Sequence, residues 1–395
     1  MTSPLPLNGL TVVSVEQAIA APFASRQLAD LGARVIKVER PGTGDFARHY
    51  DTTVKGLASH FVWTNRSKES LTLDLKTEEG AEVLRRLLAR ADVHIHNLAP
   101  GAMSRLGFAP DVLREAHPRL VICEISGYGA TGPSRDRKAY DLLVQSETGL
   151  VSITGTPDTP SKVGISIADI AAGMYAFSSI LAALLRRATT GAGAVLDISM
   201  FDALAEWMGY AAYYTGYGGR ALPRTGARHA AIAPYGPYRA GDGRLVYLGL
   251  QNEREWTRFC AEVLGQPDLA LDSRFSSNAG RVEHHDALEV IITDAFSGLS
   301  ADAVLARLDT AQIANARMNS VSEFLDHPQL SARDRWRVVD SPVGPLRALV
   351  PPFGFGDVEP RMGPVPGLGE HTDAILGELG FDAATIAAWR RDGIV

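Results

Sequence analysis

A chain of 395 residues, 46% hydrophobic and 21% charged, can bury a large core and is too long for a single small module. Its formal net charge of −6 and pI near 5.9 give no electrostatic reason to expect a nucleic-acid or anionic-membrane partner. Cys123 and Cys260 form neither a CxxC pair nor a disulfide framework, which fits a reducing cytoplasm.

The opening MTSPLPLNGL has no basic region followed by an apolar run, and no stretch reaches about 18 uninterrupted apolar residues, so neither a signal peptide nor a membrane span is expected. TVVSVE reads as a strand. AIAAPFASRQLADLG has helical spacing, with Pro22 suited to a first turn and Gly32 to a C-terminal cap. ARVIKVER and SLTLDLK are further strands, and TEEGAEVLRRLLARA is a helix with acids at its start and arginines at its end. DVHIHN and RLVICEIS continue the alternation, which predicts an α/β fold with a largely parallel sheet covered on both faces. VGISIADIAAGMYAFSSILAALLRR, residues 163–187, is a helix of small residues headed by a lone acid, Asp169. Helix capping is the ordinary role for an Asp in that position. GAVLDISMFDALAEWMGYAAYY then reads as a strand leading into a helix.

Near residue 215 the texture changes to a Gly/Arg-rich linker. A hairpin, YGPYRAGDGRLVYLGL, and several helices follow as a separate α+β domain. The expected division is 1–215 for the first part of a large domain, 216–330 for a small one, and 331–395 for a tail returning to the large domain. The first β-α turn, VEQAIAAP, lacks the GxGxxG nicotinamide fingerprint, and Walker, HExxH and GxSxG motifs are also missing. His94 and His96 share a strand face without a visible third ligand, which makes a structural role the better reading and no metal site is expected. His284 and His285 lie in a helical surface pattern and read as solvated.

Six blocks in order resemble the class III coenzyme A transferases: APFASRQLADLGARVIKVERPGTGD, LTLDLKTEEG, NLAPGAMSRLGF, ISGYGATGPSRDRKAYDLLVQSETGL, ADIAAGMYAFSSILAALLRRATTGAG and PGLGEHTDAIL. The resemblance implies a Rossmann-like large domain, a smaller inserted domain and an interlocked homodimer. It also implies an acyl-CoA thioester as substrate, no permanently bound cofactor, and Asp169 as the nucleophile that forms an anhydride and then an aspartyl-CoA thioester. An Asp with an ordinary pKa near 4 is ionised at pH 7 and needs no general base. N–H groups at the head of its helix would be available to developing oxyanions.

Carried over position by position, the CoA site comprises Gln17, Ala18, Arg40, Leu73, Lys76, Asn97, Leu98, Arg105 and Lys138, the cations being suited to phosphates. Family racemases carry a His before the Asp of the block that reads KAYDLL here. This chain has Tyr140, a poor base but a good hydrogen-bond donor, which favours transfer over the alternative of 2-methylacyl-CoA racemisation. A non-catalytic CoA-binding protein is the other alternative. GYGGRALPRTGARHAAIAPYGPY replaces the glycine-run lid of formyl-CoA transferase and is more similar to the dicarboxylate branch. Arg228 and His229 are therefore the expected contacts for a second carboxylate, with succinyl-CoA as donor.

Overall fold

The computed structural model describes residues 4–395. Residues 1–3, part of the stretch read for a leader, lie outside it. The chain divides into two compact units: residues 4–149, 163–209 and 332–395 form the first, and 150–162 with 210–331 the second.

The first unit is built on six parallel strands: β1 (Thr11–Val15), β2 (Arg34–Glu39), β3 (Lys68–Thr72), β4 (Val93–His96), β5 (Val121–Ser126) and β6 (Ala194–Ser199). Their spatial order is β3-β2-β1-β4-β5-β6. The order reverses between β1 and β4, so the connections after these two strands diverge and leave a crevice at the strands' C-terminal ends. The helices that matter below are α1 (Ala20–Asp30), α2 (Glu78–Leu88), α3 (Asp141–Glu147) and α4 (Ile167–Thr190).

Helix α2 forms as its sequence dictates. Thr77 accepts the Gly80 N–H as N-cap, Glu78 and Glu79 occupy the first turn, and Arg85 and Arg86 the last. Its apolar face (Val83, Leu84, Leu87, Leu88) joins Leu71 and Leu73 in one core. The C-terminal tail closes that core with Ile375, Leu376, Ile386 and Val395. Thr372 bonds both the N–H and the hydroxyl of Thr72, and the Ile394 carbonyl accepts the Asp74 N–H at 2.8 Å.

Helix α4 is long and apolar enough to cross a membrane by length and composition, a test that the core helix of a soluble protein also passes. Its small residues instead pack on α1 and on the β5–β6 edge of the sheet. Gly173 makes this packing close: a Cβ there would stand 2.7 Å from the Ala20 carbonyl oxygen and 3.0 Å from the Phe23 ring.

In the second unit, Tyr235–Arg239 and Leu245–Gly249 form the expected hairpin, extended by Ala314–Arg317 into a three-stranded antiparallel sheet. Trp256, Phe259, Phe275 and Phe296 fill its core. Residues 150–162, which the sequence reading leaves within 1–215, belong to this unit. The Arg224 guanidinium donates to the carbonyls of Ser152, Thr156 and Pro157, and the Gly226 N–H to that of Gly155.

Candidate active site

Asp169 does not cap its helix. Ser166 is the N-cap of α4, without a side-chain cap bond, and Asp169 is the third helical residue. The cap comes from elsewhere: Asp141 Oδ1, at the start of α3, accepts the Ala168 N–H at 2.8 Å, while its Oδ2 accepts from Gln145 at 2.6 Å. The Ala168 N–H is thus already used, which leaves one fewer donor for an oxyanion at the head of this helix.

Asp169 is partly buried and faces the start of α1, with the Ala20 backbone N–H near enough to favour its ionised form. Burial foremost, then the Asp141 carboxylate, push its pKa up to about 7, and the Ala20 N–H pulls against both. The ordinary value near 4 is therefore the wrong one for this side chain: about half of it is protonated at pH 7.

Two aromatic side chains stand near it. Tyr140 is 71% exposed immediately before α3. Tyr50, which the sequence reading did not single out, lies edge-on to His60 at 5.7 Å. Burial first, then Asp45, Asp169 and Tyr140, raise the Tyr50 phenol's pKa, so it stays a donor.

The turn between β1 and α1 is pinned from several sides. Asn97 accepts the Gln17 N–H and donates to the Gln17 carbonyl, both at 2.8 Å, across the gap between β1 and β4. Gln17 Oε1 accepts the Phe46 N–H at 2.9 Å. Ala18 donates its N–H to Asp45 at 2.8 Å and has φ +62°, a conformation that alanine rarely adopts.

Beside this turn lies a cleft of about 470 Å³ whose lining includes Gln17, Arg40, Leu73, Lys76, Leu98 and Arg105. Six of the nine positions expected to hold CoA thus meet in one place, at the C-terminal ends of the strands. Arg40 follows β2, and its guanidinium lies over the Phe46 ring at 5.8 Å. Leu73 and Lys76 follow β3 rather than lying within it. Asn97 and Ala18 shape the turn. Lys138 sits on the exposed segment before Tyr140 and is not part of the cleft lining.

In the second unit, Arg228 is ion-paired with Glu289, so its charge is already matched. His229 stacks on Tyr235 at 5.4 Å, and its Nδ1 accepts the Ala231 N–H at 3.1 Å, which fixes the tautomer with hydrogen on Nε2. His284 and His285 are half-buried there, His284 edge-on to Phe275.

His94 and His96 are buried and structural. His94 Nδ1 bonds the Val13 carbonyl and His96 Nε2 bonds Glu124. Among the described residues no group of three or more His, Cys, Asp or Glu is arranged to hold a metal ion.

Residues 7–372 match the CoA-transferase family III. The chain belongs to that family. The activity that membership carries is CoA transfer between an acyl-CoA and a carboxylate. The chain is 37% identical to an acetyl-CoA:oxalate CoA-transferase of Acetobacter aceti, over 83% of this chain and 85% of that one. It is 34% identical to a succinate–glutarate CoA-transferase of Agrobacterium fabrum, over 95% and 96%. The crystal structure of a CaiB/BaiF family protein from Brucella suis superposes with a TM-score of 0.83 at 34% identity, covering 95% of this chain and all of that one. For this CoA-transferase the racemase alternative finds no support at Tyr140–Asp141: the tyrosine is exposed, and the two carboxylate oxygens of Asp141 are taken by the Ala168 N–H and the Gln145 side chain.

Proposed function

We propose that this CoA-transferase moves CoA from succinyl-CoA to a short dicarboxylic acid through Asp169. The carboxylate attacks the thioester carbonyl, the C–S bond breaks, and CoA thiolate leaves a mixed anhydride. The thiolate then attacks the aspartyl carbonyl and releases the donor acid, giving an aspartyl-CoA thioester. The acceptor carboxylate attacks that thioester, and the returning thiolate resolves the second anhydride to free Asp169. The single observation that carries this reading is a partly buried carboxylate in the first turn of α4, beside the start of α1, whose pKa burial pushes up to about 7. Such a group is a stronger nucleophile when ionised than an ordinary Asp, yet ionised often enough at neutral pH to react.

The cleft lined by Arg40, Lys76 and Arg105 is the place we assign to the anionic carrier, and the strand order supports a Rossmann-like description of the sheet. The dicarboxylate assignment rests on the relatives, whose names specify oxalate and glutarate. His229, with its Nε2–H free of the bond that holds Nδ1, is a better candidate than Arg228 for the distal carboxylate. We also assign the protein to the cytoplasm, as an interlocked homodimer.

The test is an acceptor panel with succinyl-CoA as donor. Glutarate, malate, itaconate and oxalate should give higher kcat/KM than formate, acetate and butyrate. A preference for the monocarboxylates removes the dicarboxylate assignment and leaves the transfer chemistry standing.

A further inference from the structure

Beneath the turn that precedes α1 lies a group of charges with no access to solvent. Glu16, Lys37 and Asp45 are 0% exposed and Lys68 is 2%. Lys37 Nζ meets Asp45 Oδ2 at 2.6 Å and Glu16 Oε1 at 3.3 Å. Lys68 Nζ meets Glu16 Oε1 at 2.6 Å and also donates to the Pro22 carbonyl, in the first turn of α1, at 3.0 Å. Ser25, further along α1, donates to Glu16 Oε2 at 2.7 Å. Burying matched charges adds little net stability compared with packing apolar groups in the same volume, so the arrangement calls for another reason.

What it touches supplies that reason. Asp45 Oδ1 accepts the Ala18 N–H, and Ala18 is the residue at φ +62°. Without a fixed partner for that N–H, alanine would leave the left-handed region. Two residues on, Ala20 packs against α4 one turn from Asp169, its carbonyl oxygen 2.7 Å from where a Cβ on Gly173 would stand, so a relaxed turn shifts the start of α1 against Asp169.

We propose that Lys37 and Asp45 are a positioning pair for CoA transfer: they hold Ala18 in its left-handed conformation so that the turn keeps the start of α1, with the Ala20 N–H, beside Asp169. Lys37 orients Asp45, Asp45 fixes Ala18, and neither touches the substrate. The inference rests on Asp169 being the reacting group.

The test is a double-mutant cycle between Asp45→Ala and Ala18→Gly, because glycine takes a positive φ without strain. Asp45→Ala should lower kcat/KM by about 100-fold, the scale of a misplaced reacting group, and shift the acid limb of the pH–rate profile to higher pH as Asp169 loses its N–H. In the Ala18→Gly background the same substitution should cost less than about tenfold. Should Asp45→Ala leave Lys37 unmatched and unfolded, Lys37→Met with Asp45→Val removes the pair while Glu16 keeps Lys68, and the same cycle applies. Losses that simply add, or an unmoved acid limb, overturn the proposal while the Asp169 chemistry stands. Full turnover by Asp169→Ala overturns both.

Discussion

Two carboxylates that meet the same short turn are treated in opposite ways. Asp45 takes the Ala18 N–H with Lys37 at 2.6 Å behind it, so its charge is matched within the protein. Asp169 lies beside the Ala20 N–H with another carboxylate, Asp141, also acting on it, so burial and repulsion leave its charge poorly matched. The first arrangement fixes backbone. On the mechanism proposed above, the second keeps a nucleophile reactive, because an ionised group that is not satisfied in the resting protein gains by forming a bond. The molecule separates holding from reacting over a span of two residues.

Moving the two helices apart should have the largest effect on this contrast. Gly173→Ala places a methyl 2.7 Å from the Ala20 carbonyl oxygen, and the backbone has to give way. We expect kcat to fall by about 100-fold and stability by about 1–3 kcal/mol. A melting curve and activity equal to those of the parent enzyme would mean that the α1–α4 contact does not set the position of Asp169.

Neutralising the poorly matched acid should make the protein more stable. The pKa of Asp169 is about 7 in the folded chain against 3.8 as the reference value. Between those values the folded state holds more protons than the unfolded state. Wild-type stability from this group is therefore complete below pH 4 and lost as pH rises to 7. Asp169→Asn, which resembles the protonated form, should match wild type near pH 4 and exceed it by a few kcal/mol at pH 8. A stability difference that does not change with pH would contradict the raised pKa.

The smallest effects belong to the second unit. His229→Ala should raise KM for a dicarboxylate about tenfold and leave KM for succinyl-CoA nearly unchanged, the loss of one hydrogen bond to a charged group. Arg228→Ala should instead lower stability by about 1 kcal/mol, since it removes the guanidinium from a half-exposed pair with Glu289. If Arg228→Ala shows the selective KM change and His229→Ala does not, the two roles are reversed.

Much of this was legible in the sequence. The alternation of apolar runs and helical spacing marks all six strands, because each carries its own pattern locally. The residues that line the cleft were reached through motif resemblance, and they come together because each follows a parallel strand at the same end of the sheet. Lys37 was not legible as a buried charge: a lysine between Ile36 and Val38 looks like an ordinary polar position in a half-buried strand, and its partner Asp45 lies beyond a turn. Asp141 entered only as the Asp of the KAYDLL block, because the N–H it caps is on Ala168, 27 residues along the chain. The pKa of Asp169 depends on burial and on Asp141, neither of which its neighbours in sequence reveal. Arg228 looked free because Glu289 is 61 residues away.

The most direct measurement is the mass of the enzyme after mixing with succinyl-CoA, quenching with hydroxylamine and mapping the modified peptide. The account predicts a single hydroxamate on Asp169, absent in Asp169→Asn, with transfer lowered at least about 1,000-fold in that variant. An adduct on another residue, or transfer at the parent rate without an ionisable group at position 169, would contradict it.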